Sequence, residues 1–326
     1  MAGAAWLEGV ETPACLRIST DGTPTVIGFA YQTAAVKMPL LVQPPFNYTG
    51  SKYRLLPQLM PLFDYSRPAL VDLCAGGGSV WCNLVPYFEH VIANDIIRDL
   101  IGAQQALMDG DAIACETRAL CVAKEDKAGY HRLRDNYNAT PSAAKYFALT
   151  LCCNNNMARF NASFRFNQTF GRRTWNSSTT EKVSRYTAHI RPYRSRVQFL
   201  PFDFARVAIP DNSMVYVDPP YSNTEAGYNA YWRKDDDRRL FEHLLRLAER
   251  GHAIAVSGVL RHNGKECPLL NLLINAGLQT HLLHSDYSAV SKVGPKESQE
   301  VLLTNYDPLE MMPTEVRQQP IEVVPA

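Results

Sequence analysis

The stretch Val215-Tyr216-Val217-Asp218-Pro219-Pro220-Tyr221 holds the residue types best suited to chemistry. Three β-favouring residues run into a carboxylate, two prolines and an aromatic ring. The first part reads as a buried strand. The prolines end it, because neither has an N–H to give to a sheet ladder. The product is a rigid loop at a strand's C-terminal end, where open α/β sheets bind ligands. Asp218 and the carbonyl of Pro219 each offer an acceptor for one N–H, Pro220 stiffens the turn, and Tyr221 offers a flat face. That set suits an exocyclic amine on a planar base. A plain strand-to-loop turn is the alternative, since Asp-Pro is common in turns.

Two further segments could complete a site. Ala69–Leu73 reads as a short strand, Cys74-Ala75-Gly76-Gly77-Gly78 as a glycine loop, and Ser79–Val85 as the start of a helix. Strand, glycine loop and helix form the first unit of a Rossmann-like nucleotide site, although without G-x-G-x-x-G a dinucleotide is not indicated. Asp95 ends a second strand, Val91–Ile96, nineteen residues after Gly76. That is the place for a carboxylate on ribose hydroxyls, or for a cap on the helix that follows. Upstream, Tyr48, Gly50, Ser51 and Lys52 lead into an apolar segment. Here a glycine allows close approach, and a helix start beside a lysine suits a ligand carboxylate. Downstream, Val197–Phe204 is a strand ending in Asp203-Phe204, fifteen residues before Asp218. Both acids are then expected on one rim.

The elements that must position these residues alternate in kind. Asp99–Met108, Asp111–Ala123 and Ala143–Cys153 have helical spacing, as does Arg238–Arg250. Gly251–Gly258 reads as a strand, Leu269–Ala276 as a helix, and Leu278–His284 with Glu300–Asn305 as a closing hairpin. Pro24–Tyr31 could be a strand, but residues 1–44 carry no motif, and 307–326 read as a mobile tail.

Between Arg159 and Arg196 stand nine basic residues and one acid, Glu181, a local charge of +8 in a chain of net charge +1. Within it Arg159, Asn161, Arg165, Asn167, Arg172 and Arg173 alternate with phenylalanines. Arginine and asparagine suit phosphates and base edges, and phenylalanine can stack or wedge. An Asn-rich loop packed by its own aromatics is the alternative.

Composition limits the rest. Hydrophobic residues make up 46% and charged residues 20%, as in soluble globular proteins. No apolar run approaches ~18 residues, so no membrane span is expected. Eight cysteines include no Cys-x-x-Cys pair, so scattered reduced thiols are expected and no metal site. The opening residues lack signal-peptide character, which with reduced thiols predicts a cytoplasmic enzyme.

Taken in order, these motifs resemble the Dam-like family of adenine-specific DNA methyltransferases. Asn47–Lys52 resembles its N-terminal cofactor motif and Asp72–Ser79 its glycine motif. Asn94-Asp95-Ile96 resembles its ribose-binding acid, Asp203-Phe204 its contact to the cofactor adenine, and Asp218–Tyr221 its catalytic signature. Phe166–Arg172 resembles the end of its recognition insert. The resemblance implies a Rossmann-like α/β sheet with helices on both faces, a C-terminal antiparallel hairpin and a helical and loop insert. It divides the chain into a catalytic domain (45–120 and 197–306) and a DNA recognition insert (121–196). It implies S-adenosylmethionine as cofactor, held by Tyr48, Gly50, Lys52, Asp72, Cys74, Ala75, Gly76, Gly78, Ser79, Asp95, Ile96, Asp203 and Phe204. The implied partners are double-stranded DNA, bound through the insert, and a cognate restriction enzyme. Cytosine N4, RNA adenine or a protein amide as target, or an idle DNA-binding relative, are the alternatives. Related families usually replace the Asp with Ser or Asn.

Overall fold

The computed structural model describes residues 15–18, 24–27, 40–48, 50–220, 232–233, 235–262, 264–283 and 298–308. The strands are β1 (Cys15–Ile18), β2 (Pro24–Ile27), β3 (Ala69–Asp72), β4 (His90–Asn94), β5 (Val197–Leu200), β6 (Ser213–Val217), β7 (Ala253–His262), β8 (Lys265–Glu266), β9 (Gln279–Leu283) and β10 (Ser298–Thr304). They form one sheet in the order β2-β1-β9-β10-β7-β6-β3-β4-β5, with β8 paired to β7. The run β7-β6-β3-β4-β5 is parallel. Strand β10 lies antiparallel between β7 and β9, as the closing hairpin required.

Side chains on the central strands alternate between two cores, as the two-residue period of a strand demands. Leu70, Val91, Met214 and Tyr216 face one cluster, and Val71, Ile92, Val215 and Val217 the other. The second is covered by α8 (Asp236–Glu249) and α9 (Pro268–Asn275). The first is covered by α1 (Leu56–Leu59), α2 (Ser79–Leu84) and α3 (Arg98–Asp109). With helices on both faces, the sheet is of the expected α/β type.

The first core continues into residues 121–196, the segment expected to be an insert. Helix α6 (Ala143–Cys152) is buried on nearly every side, with α3, α4 (Ala112–Leu120) and α5 (Lys127–Ala139) packed around it. Tyr146, Phe147, Phe160 and Phe166 share one hydrophobic cluster with Leu70, Val91 and Met214 of the sheet. Helix α7 (Ser177–Ile190), unforeseen in the basic segment, starts where Asn176 accepts from the amide of Thr179 and buries Val183, Tyr186 and Ile190.

The N-terminal extension supplies two strands to the sheet edge. Strand β1 pairs with β2 and, through Arg17 and Ile18, with β9. Residues 40–46 are latched to α2 by Asn83, which accepts from the amide of Val42 at 2.8 Å and donates to its carbonyl at 2.9 Å. His284 and the tail beyond residue 308 lie outside the described residues.

Candidate active site

Strands β3, β4, β5 and β6 are parallel, so the segments that follow them share one rim. Asn94 staples that rim. Its amide group donates to the carbonyls of Leu73 and Phe202 at 2.9 and 3.0 Å, and its oxygen accepts from the amide of Phe202 at 3.1 Å. A cavity of about 930 Å³ opens there. Of the residues singled out in the sequence, Tyr48, Gly50, Lys52, Asp72, Cys74, Ala75, Gly76, Ser79, Asp95, Ile96, Asp203, Phe204, Asp218, Pro219 and Pro220 line it. Tyr221 lies outside the described residues. Gly78 is not on the wall: at φ +83° it precedes α2, and a Cβ there would stand 2.5 Å from Gln104 Oε1. Its role is to let the loop close onto Gln104 and Trp81.

The glycine loop is fixed before any ligand arrives. Asp95 accepts from the amides of Gly76 and Ile97, both at 2.9 Å. Gln104 donates to the carbonyl of Gly76 at 2.8 Å and accepts from Trp81 Nε1 at 2.7 Å. A Cβ on Gly77 would come 2.9 Å from Tyr48, so the loop and the Tyr48 segment need the bare backbone to meet. Burial raises Asp95 from 3.8 to about 6, with the Ile97 and Gly76 amides pulling the other way. Asp95 therefore combines the wall position expected of a ribose ligand with the local bracing expected of a cap.

Asp72 is 1% exposed, and neither carboxylate oxygen has a hydrogen-bond partner of good geometry among the described residues, the nearest donor being the Trp81 amide. Burial first, then the nearby Asp218, pushes its carboxyl well above the usual range; the Trp81 amide offsets only part of this. Burial, then Asp95, Asp72 and Asp218, push the Cys74 thiol well up, which disfavours the thiolate.

At the other end, Lys52 lines the cavity and is held by groups of the chain itself. Its Nζ donates to Asp218 Oδ2 at 2.6 Å and to the carbonyl of Gly50 at 2.8 Å. Ser51 joins Ser79 through their hydroxyls at 2.8 Å and caps a single 3-10 turn. Asp218 Oδ1 accepts from Ser257 on β7 at 3.1 Å. Asp203 is taken up by a residue that sequence reading passed over: Arg239 of α8 donates to both its oxygens at 3.0 Å and lies over the Phe204 ring. Trp232 adds a second ring to that wall, 5.8 Å from Phe204.

The basic segment divides in two. Arg191 and Arg194 pair with Asp111 and Asp109, so two of the C-terminal cations of the +8 block are engaged against α3 and α4. Arg159, Arg165, Arg172 and Arg173 are exposed. Phe160 and Phe166 pair across a β-bridge and are buried, which removes them as stacking rings, whereas Phe164 is 53% exposed. The asparagines brace the loop: Asn161 Oδ1 accepts from the amides of Ser163 and Arg165, and Asn167 Oδ1 accepts from Arg159. Of the five described non-glycine residues with positive φ, two (Phe164 and Arg172) lie in this strip and two (Asn155 and Asn156) in the turn leading into it. Gly171 is required for a reason of packing, since a Cβ there would sit 2.1 Å from the carbonyl oxygen of Cys153.

Residues 48–288 match the D12 class N6 adenine-specific DNA methyltransferase family. The chain belongs to that family. It is 30% identical over 280 residues to the type II methyltransferase M.FokI of Planomicrobium okeanokoites, covering 81% of this chain and 43% of that protein. It is 27% identical over 285 residues to the modification methylase StsI of Streptococcus sanguinis, covering 82% and 43% respectively. It is also 24% identical over 247 residues to the type II methyltransferase M.MjaIII of Methanocaldococcus jannaschii, covering 66% of this chain and 84% of that protein. The chain thus spans less than half the length of the first two relatives. In this D12 class member no described helix is long and apolar enough to cross a membrane.

Proposed function

We propose that the protein methylates the exocyclic amine of adenine in double-stranded DNA, in the cytoplasm, with S-adenosylmethionine as donor. The supporting observation is the carboxylate of Asp218, held at the mouth of a cavity that also contains the glycine loop and Asp95. The cavity fits the cofactor on chemical grounds. Asp72 is a buried carboxylate lacking a described partner of good geometry, which a ligand ammonium would satisfy, and Asp95 faces the same space for hydroxyl donors. Phe204 and Trp232 offer rings for a nucleobase.

When bound, the cofactor supplies an electrophilic methyl group on a sulfonium. The chain's own residues prepare the amine that receives it. Adenine's amino lone pair is delocalised into the ring. Asp218 and the carbonyl of Pro219, by accepting its two hydrogens, localise that pair and aim it. Catalysis then rests on positioning and fixed charges. The target base must leave the duplex, at roughly a few kcal/mol. We assign residues 121–196 to DNA, with Arg159, Arg165, Arg172 and Arg173 as its outward cations and Phe164 as its exposed ring. A cognate restriction enzyme is the partner this reading carries with it.

Incubation with labelled S-adenosylmethionine and mixed-sequence DNA should place label on adenine. Label found only on cytosine, or only on protein, would overturn the reading.

A further inference from the structure

The catalytic carboxylate has a support that no motif covers. Strands β6 and β7 run parallel, with Tyr216 opposite Ala255 and Val217 opposite Val256. The next residues along, Asp218 and Ser257, meet where β6 ends and β7 continues. Ser257 is fully buried and Tyr216 is 1% exposed. The Ser257 hydroxyl donates to Asp218 Oδ1 at 3.1 Å, and the Tyr216 hydroxyl lies 2.6 Å from Ser257 Oγ. A serine hydroxyl has one hydrogen. With that hydrogen spent on Asp218, the Tyr216 hydroxyl must be the donor to Ser257. The chain of bonds therefore has one direction, from Tyr216 to Ser257 to Asp218. On the far side Lys52 holds Oδ2. Each carboxylate oxygen thus has its own anchor, from a different element, and the plane of the carboxylate is fixed.

We infer that Ser257 and Tyr216 are positioning residues for methyl transfer: their hydroxyl relay sets the orientation of Asp218 and so the direction in which the target amine is held. The inference rests on the adenine-methylating reading above. An acceptor fixed at both oxygens loses little freedom when the amine arrives, whereas one that has lost its Oδ1 donor is freer to turn about its Lys52 contact. Misplacement of a reacting group slows the chemical step more than it weakens binding. Neither hydroxyl need touch DNA or cofactor for this effect.

The test is single-turnover methylation of DNA by the full chain, with cofactor and DNA affinities measured separately. Wild-type enzyme that puts no label on adenine would remove the underlying reading, independently of the variants. Given an active wild type, Ser257→Ala should slow transfer about ten- to a hundred-fold, the usual weight of a hydrogen bond to a charged group. Both affinities should stay within about twofold, and Ser257→Thr, which keeps the hydroxyl, should recover most of the rate. Tyr216→Phe, which deletes only the remote donor, should slow transfer about three- to tenfold. Because the relay acts as one unit, the double variant should be no slower than Ser257→Ala alone. A wild-type rate in Ser257→Ala overturns the inference. So does a rate loss that tracks an equal loss of cofactor affinity and is not restored by threonine. Should Ser257→Ala fail to fold, a Tyr216→Phe protein with unchanged rate decides against the relay.

Discussion

On the reading proposed above, the cavity and the basic strip would hold their ligands in opposite ways. Around the cavity, side chains are buried and braced before a ligand is present. Asp95 and Gln104 fix the glycine loop, Asn94 joins the ends of three strands, and Lys52 and Ser257 fix Asp218. Along the strip and the turn leading into it, the outward cations are exposed, and order comes from the loop's own backbone: asparagine-braced turns, two β-bridges and four non-glycine residues at positive φ. A small ligand of fixed shape rewards preorganisation in a dry pocket. A polyanion, whose phosphates attract from a distance and whose sequence varies, rewards exposed cations on a shaped but accessible surface.

The largest effect that would sharpen this contrast is at Asp218. Asp218→Ala should lower the single-turnover rate by at least about a thousand-fold. It also removes the anion paired with Lys52, which is 5% exposed, and should cost about 3 kcal/mol of stability in a denaturant titration. Calorimetric cofactor binding should survive; its loss would mean that Asp218 belongs to the cofactor rather than to the target amine.

Next come the acids of the loop. Asp95→Ala should weaken cofactor binding by roughly ten- to a hundred-fold. Unchanged affinity in a folded variant would leave Asp95 as a brace only. The pH dependence has a definite sign. Burial raises the folded carboxyl from 3.8 to about 6, so between those values the folded state holds a proton that the unfolded chain has lost. Stability from this group is greatest below 3.8 and is lost as pH rises through about 6. Cofactor hydroxyls donating to the ionised form reverse the trend for binding. Affinity should rise as pH rises to about 6 and level off above it, by up to roughly tenfold per unit. A titration that is flat from pH 5 to 7.5 would break that assignment.

On the strip, Gly171→Ala should cost about 3 kcal/mol, because the new Cβ meets backbone that cannot yield cheaply. Thermal unfolding reads this directly. Replacing Arg172 and Arg173 together by alanine should reduce the slope of log DNA affinity against log salt by about two, with cofactor affinity unchanged. The smallest effect is expected at Arg194, already paired with Asp109. Arg194→Ala should leave the salt slope where it was, and a lower slope would return the whole +8 block to the DNA face.

Sequence patterns reached the cavity more surely than the strip. Buried strands ending in an acid stand out, because each strand is an apolar run and each acid follows it directly. Strand order then put Asp72, Asp95, Asp203 and Asp218 on one rim. What escaped depends on neighbours far along the chain. Ser257 looks like any small residue in a strand until β6 and β7 are in register, and Arg239 looks like a helix surface cation until Asp203 arrives. In the strip, charge obscured periodicity. Val183, Tyr186, Thr187 and Ile190 mark one face of α7 at helical spacing behind the Asn176 cap, a signal that was present. Phe160 and Phe166 looked like stacking rings because alternation alone cannot tell an inward ring from an outward one.

The continuity of the first core bears on how target preference could change in this protein. Aromatic residues of the insert and apolar residues of β3, β4 and β6 fill one interior, with α6 at its centre. A graft cut at residues 120 and 197 would sever that interior and leave both halves with mismatched surfaces. If residues 121–196 recognise DNA as we propose, their exchange as a cassette is therefore disfavoured. On the proposed reading, point changes at exposed positions such as Arg165, Arg172 and Arg173 would alter the DNA-facing surface without disturbing that interior.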